Sequence, residues 1–144
     1  MNNVAIIVSS RDFFKDCWEP FILSIQKFWA DCPYPIYILS NNDEIETPKG
    51  FSFIKVGEDK MFASNLHAAL NQIEEEYVIY LQEDYWLNKK VDNKAIAEHL
   101  TYTVENNIDY LRLTFPYLDG EDVGYRYKKH SLHQRYAICL QAAI

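Results

Sequence analysis

Apolar residues recur along this chain in two rhythms. Val4-Ala5-Ile6-Ile7-Val8 is an unbroken run bounded by Ser9-Ser10, the pattern of a strand covered on both faces. Pro35 to Asn41, Phe51 to Gly57 and Tyr77 to Gln82 repeat it, and Tyr110 to Phe115 adds a fifth, half-alternating strand. Between the first two runs, Cys17, Trp18, Phe21, Ile22, Ile25, Phe28 and Trp29 fall at helical spacing and predict a helix ending near Asp31. Two starts fit that helix: a capping box of Asp16 with Glu19, or a first turn marked by Pro20. Asn65, Leu66, Ala69, Leu70 and Ile73 outline a helix before the fourth strand. Ala95 to Val104, with Ile96, Leu100 and Val104 on one stripe, outlines another before the fifth. The link from the second strand to the third, Asn41 to Gly50, is short and polar. Strands alternating with helices predict an α/β fold with a mostly parallel central sheet flanked by helices.

Composition narrows this picture. The chain has 144 residues, 49% hydrophobic and 15% aromatic, enough to bury the core of one domain. No repeat or linker interrupts it, so residues 1–144 are expected to form a single domain. Its formal charge of −7, from 14 basic and 21 acidic residues, repels polyphosphate backbones and argues against nucleic acid as a partner. Cys17, Cys32 and Cys139 are too few and too scattered for a disulfide framework or a cysteine zinc site, which suits a reducing, cytoplasmic setting. No apolar run is long enough for a signal peptide or a transmembrane segment. The chain's last residues, Ala137 to Ile144, are apolar without a polar tail. They predict a strand or helix whose partner is absent, or one covered by a second copy in a homodimer.

In open α/β sheets ligands bind at the carboxyl ends of strands. Ser9-Ser10-Arg11-Asp12 follows the first strand and Gln82-Glu83-Asp84-Tyr85-Trp86-Leu87 the fourth. Two adjacent carboxylates at a strand end repel each other and lose hydration unless a cation compensates, most simply a divalent metal with oxygen ligands. The bland alternative is that Glu83 and Asp84 cap the following turn and face water. Glycine stands only at 50, 57, 120 and 124, so neither a dinucleotide fingerprint nor a P-loop is present. A phosphate would be held by metal and by side chains such as Arg11 or Lys60.

The first strand ending in Ser-Ser, the helix leading to Lys27-Phe28-Trp29-Ala30-Asp31-Cys32-Pro33, and Ile36 to Asn41 together resemble the opening of GT-A-type glycosyltransferases of bacterial surface-polysaccharide synthesis. Met61 to Leu66, Ala69-Leu70 and Glu76 to Tyr85 are similar to the helix, strand and acidic motif with which such nucleotide-diphospho-sugar transferases hold their donor. The resemblance spans roughly residues 4 to 144. It implies a GT-A fold, a nucleotide-sugar donor, a saccharide or lipid-linked acceptor and a divalent cofactor, manganese or magnesium. The family's Asp-x-Asp motif aligns with Gln82-Glu83-Asp84, making Asp84 and Glu83 the implied metal ligands, with Gln82 a departure from the pattern. Ser9, Ser10 and Arg11 would face the nucleoside, and Asn65 the sugar diphosphate. At 144 residues the chain suffices for the nucleotide half with little or no acceptor half. An inert or truncated binding module of the same fold is therefore the alternative.

Tyr85 and Trp86 could stack on a sugar or base, with core packing the stronger expectation for Trp86. His130 and His133, three apart, would share a helical face as a candidate metal-ligand pair, with a solvated pair the stronger expectation. Asp119, Glu121 and Asp122, expected in a polar loop, are weak candidates for a general base that deprotonates the acceptor. Tyr125 to His130 forms a basic stretch, and His67 and His99 read as structural or surface residues. A peripheral position at the inner membrane face would suit a lipid-linked acceptor. A sugar nucleotidyltransferase would need a glycine- and arginine-rich loop after the first strand, which Ser9-Ser10-Arg11-Asp12 does not supply.

Overall fold

The computed structural model describes residues 3–112, 121–122, 128–129 and 137–139. Its main sheet holds strands β1 (Val4–Ser9), β2 (Ile36–Ser40), β3 (Phe51–Lys55), β4 (Tyr77–Gln82), β5 (Tyr110–Arg112) and β8 (Ala137–Cys139). All pair in parallel, in the order β3-β2-β1-β4-β8-β5. Strands β6 (Glu121–Asp122) and β7 (Lys128–Lys129) form a separate antiparallel pair. Helices α1 (Trp18–Phe28), α2 (Phe62–Leu70) and α3 (Asn93–Glu105) complete the described elements. The expected α/β class with a parallel sheet is observed.

The continuous apolar run of β1 has a direct cause. The strand lies between β2 and β4, and both of its faces are covered. Val4, Ile6 and Val8 join a core with Trp18, Phe21, Ile22 and Ile25 of α1 and Ile96 and Leu100 of α3. Ile7 turns the other way, toward Leu39, Ile54, Val78 and Ala69 of α2. Each fully buried aliphatic side chain of this kind contributes roughly 1.5–3 kcal/mol, so β1 anchors both layers.

The structure differs from the sequence pattern at several element ends. A 3-10 segment over Asp12–Cys17 precedes α1, and no side chain caps the helix at Cys17. The Asp16–Glu19 capping box does not form, whereas Pro20 does sit in the first turn, where its missing N–H costs nothing. Helix α3 is capped by Asp92, whose carboxylate accepts from the N–H groups of Lys94 and Ala95. Ala137–Cys139 pairs on one edge with β4 and on the other with β5. That part of the apolar terminus therefore has a parallel strand partner on each edge within the chain. Glu121 and Asp122 lie opposite Lys129 and Lys128 in a strand pair, not in a free loop.

Strands β2 and β3 are parallel neighbours joined by residues 41–50 without a helix, a shorter crossover than parallel pairing normally takes. The link closes at both ends through backbone bonds: the Ile36 N–H donates to the Gly50 carbonyl, and the Gly57 N–H to that of Asn41. Gly50 takes φ +96° at the entry to β3, a conformation that glycine adopts without side-chain strain.

Candidate functional site

From β1 the chain runs to β2 and β3 on one side, then returns to place β4 on the other. The crevice between the carboxyl ends of β1 and β4 is therefore the topological switch point, where open parallel sheets receive ligands. Ser9 and Gln82, both half-buried, are direct register partners at this edge. The loops that follow them form the two walls of the crevice.

On the β1 wall the polar groups are engaged internally. Ser10 is buried, and its hydroxyl accepts from the Trp18 indole N–H at 2.8 Å, while the Trp18 ring packs 4.7 Å from that of Phe53. Asp12 is a clamp. Its carboxylate accepts from the backbone N–H groups of Asn41, Asn42 and Asp43 at 2.8, 2.9 and 3.2 Å, and its own N–H donates to the Asn41 side chain. The loop after β1 is thereby fastened to the loop after β2. Arg11 donates to Asp59 at 3.1 Å and lies 4.9 Å from the Phe14 ring centre.

Asn65 serves the same wall from α2. Buried at the helix start, it donates to Asp59 at 2.8 Å and accepts from the Lys60 N–H at 3.0 Å. The hydrogen bonds from Asn65 and Arg11 hold the Asp59 carboxyl below its ordinary range. The Asn65 amide thus shapes the 59–61 corner through bonds already made within the chain.

The β4 wall is different in kind. Glu83 is buried, Asp84 exposed, and the turn is closed by the Tyr85 N–H donating to the Gln82 carbonyl at 3.2 Å. Burial pushes the Glu83 carboxyl up, and Asp84 adds to the rise, while its own backbone N–H and Arg11 act in the opposite sense. Cys17 senses the same field: its thiol is pushed up by burial and then by Asp16, Glu83 and Asp84. Tyr85 is half-buried. Trp86, expected in the core, is instead half-exposed, because its indole N–H is spent on the Glu83 carbonyl at 3.1 Å and the ring lies over the surface turn.

Glu83 and Asp84 are suited to a hard divalent cation, which would relieve the burial and mutual repulsion that raise Glu83. Among the described residues no three His, Cys, Asp or Glu side chains converge in a metal-binding cluster, so a cation here would take its remaining oxygens from a ligand or water. Asp119, His130 and His133 lie outside the described residues. Glu121 and Asp122 are described only as strand β6.

A cavity of about 510 Å³ opens at the opposite, amino edge of the sheet, lined by Val4, Tyr34, Pro35, Glu75, Leu100 and Thr101 among others. Its carboxylate is already used, accepting from the Tyr37 hydroxyl at 3.2 Å. Burial pushes the Tyr34 hydroxyl up, so this edge offers neither an ionised phenol nor a lining cation. The switch-point crevice carries the charged and polar chemistry.

Asp12, which the sequence places in the loop after the first strand, and Asp59 carry hydrogen bonds that no sequence motif marks. Among the described residues no helix is long and apolar enough to cross a membrane. Neither family profiles, nor curated proteins, nor solved structures give a significant match to the chain.

Proposed function

We propose that this chain binds a nucleotide-sugar in the β1/β4 crevice and acts as a GT-A-like glycosyltransferase domain, passing the sugar to a saccharide or lipid-linked acceptor. The observation that carries this reading is the placement of a buried, charge-strained Glu83 beside Asp84 at the switch point of a parallel sheet. In this reading Glu83 and Asp84 hold a manganese or magnesium ion. The ion, when bound, neutralises charge on the departing nucleoside diphosphate.

The chain's own residues do the rest. Ser9 and Gln82, register partners on adjacent strands, lie between the two loops. Arg11, within the electrostatic reach of Glu83, is the cation available to the diphosphate once its bond to Asp59 is exchanged. Tyr85 supplies an aromatic face beside the acidic pair. The chemistry suits a cytoplasmic donor pool, with the protein peripheral at the membrane if the acceptor is lipid-linked.

Calorimetry with uridine, guanosine, cytidine, thymidine and adenosine diphosphates in manganese buffer tests the proposal. The expected result is metal-dependent binding of at least one, weakened about tenfold or more by Asp84→Ala. Absence of binding by all five, or unchanged affinity in the variant, overturns it. Gln82, where the family motif carries an acid, favours a second reading: a non-catalytic module that binds the donor without turning it over. Slow hydrolysis of the bound nucleotide-sugar without acceptor would decide for the enzyme.

A further inference from the structure

Asp59 divides its work between its two carboxylate oxygens. Oδ1 accepts from the Met61 N–H at 3.1 Å and from the Asn65 side-chain amide at 2.8 Å. These bonds build the corner that leads into α2, where Met61 takes φ 73° and ψ 162°, a backbone region that glycine alone adopts freely. Oδ2 serves Arg11 instead, accepting from its guanidinium at 3.1 Å. The corner would be held as well by an asparagine, whose side-chain oxygen accepts the same two bonds. What an asparagine could not supply is the charge that holds Arg11.

The loops do not depend on that bond. Asp12 already fastens the loop after β1 to Asn41, and Asn41 is tied to Gly57 in both directions: its side-chain amide donates to the Gly57 carbonyl, and its own carbonyl accepts from the Gly57 N–H, each at 2.9 Å. Arg11 is held from its other side by aromatic surface. Its guanidinium lies 5.5 Å from the Phe13 ring centre and 4.9 Å from that of Phe14. Its charge also reaches the buried Glu83 and lowers that carboxyl. Arg11 therefore stands within reach of both walls while bonded to the β1 side.

We infer that Asp59 is an autoinhibitory competitor built into the crevice: its Oδ2 occupies the guanidinium that a diphosphate needs, so a ligand must displace a carboxylate that the chain itself supplies. The inference rests on the donor-binding reading above, in which Arg11 is the cation for the diphosphate. The two side chains are 45% and 35% exposed, so solvent screening keeps their bond weak enough to exchange. Apparent affinity falls in proportion to the fraction of molecules in which Arg11 is free. A half-exposed pair of this kind weakens binding about two- to fivefold. Asp59 thus sets how readily the crevice accepts an anion, and Oδ1 keeps the corner in shape whether or not Arg11 is bound.

Calorimetry with inorganic pyrophosphate in magnesium buffer, read beside the nucleoside diphosphates named above, tests the competition. Asp59→Asn keeps an oxygen for Met61 and Asn65, so the variant should melt as the parent does, with the Lys60 and Met61 amide shifts in place. It should bind pyrophosphate about two- to fivefold more tightly. In an Arg11→Ala background the same substitution should gain nothing. Glu58→Gln, which removes the exposed carboxylate next door, should leave affinity nearly unchanged because its charge is screened. No pyrophosphate binding, no gain with Asp59→Asn, an equal gain without Arg11 or an equal gain from Glu58→Gln overturns the inference. The parent chain gives a second readout: bound pyrophosphate should shift the Arg11 Nε–H signal in NMR, and an unmoved signal overturns it too. Pyrophosphate binding that Asp59→Asn strengthens, with no nucleoside diphosphate bound, would sink the donor reading and leave the competition standing. Nucleoside diphosphate binding that Asp59→Asn leaves unchanged would sink the competition alone.

Discussion

The two walls of the β1/β4 crevice treat their polar groups in opposite ways. On the β1 side, Ser10, Arg11, Asp12 and Asn65 are each committed to a partner within the chain, and two of them tie together loops from different strands. On the β4 side, Glu83 is buried next to a second carboxylate, without a salt bridge to any described residue, and is pushed toward its neutral form. A satisfied wall is architecture. A wall that holds a carboxylate where it is least comfortable is where a cation or a ligand gains most. Polar residues at a strand's end are thus not equivalent, and position alone does not separate the two kinds.

The largest effect that could break this contrast is loss of the Asp12 clamp. Asp12→Ala strips an acceptor from three backbone N–H groups and is expected to lower unfolding free energy by about 2–4 kcal/mol in urea melts. A loss under about 1 kcal/mol would show that the β1 wall stands without it. Next is the strained corner. Met61→Gly keeps the backbone bonds while removing the Cβ that φ 73° disfavours, so it should raise stability by about 1 kcal/mol. A destabilised variant would mean that the Met61 side chain is needed for packing.

The β4 wall is sharpened by pH. Glu83 has its carboxyl raised above the ordinary 4.5 in the folded chain, so its contribution to stability is full below that value and is lost as pH rises through the folded value. Glu83→Gln lacks this loss. In chelator-treated samples its melting temperature should match the parent near about pH 4 and exceed it near about pH 8. A difference that does not change with pH would place the Glu83 carboxyl in water.

Much of the scaffold was readable in the residues because β1, β2 and β4 are buried on both faces and must be apolar throughout. Their predicted limits fall within a residue or two of those observed. The position of Ala137–Cys139 between β4 and β5 was not, since a three-residue strand carries no local sign of its neighbours. The acidic pair stood out by its place at a strand end. Asp12 did not, because the N–H groups it holds are 29 to 31 residues away and no short-range spacing encodes them. The exposure of Trp86 was hidden for a related reason, since a tryptophan after a buried strand looks like a core residue until the tertiary structure leaves it half-exposed.

Amide NMR on the labelled chain, titrated with a binding nucleoside diphosphate and magnesium, bears most directly on the claim that the crevice is the ligand site. Shift changes should cluster at Ser9 to Arg11 and Gln82 to Tyr85, with the Tyr34, Glu75 and Thr101 amides of the opposite edge unmoved. Changes centred on that opposite cavity, with the Gln82–Tyr85 turn silent, would contradict the account.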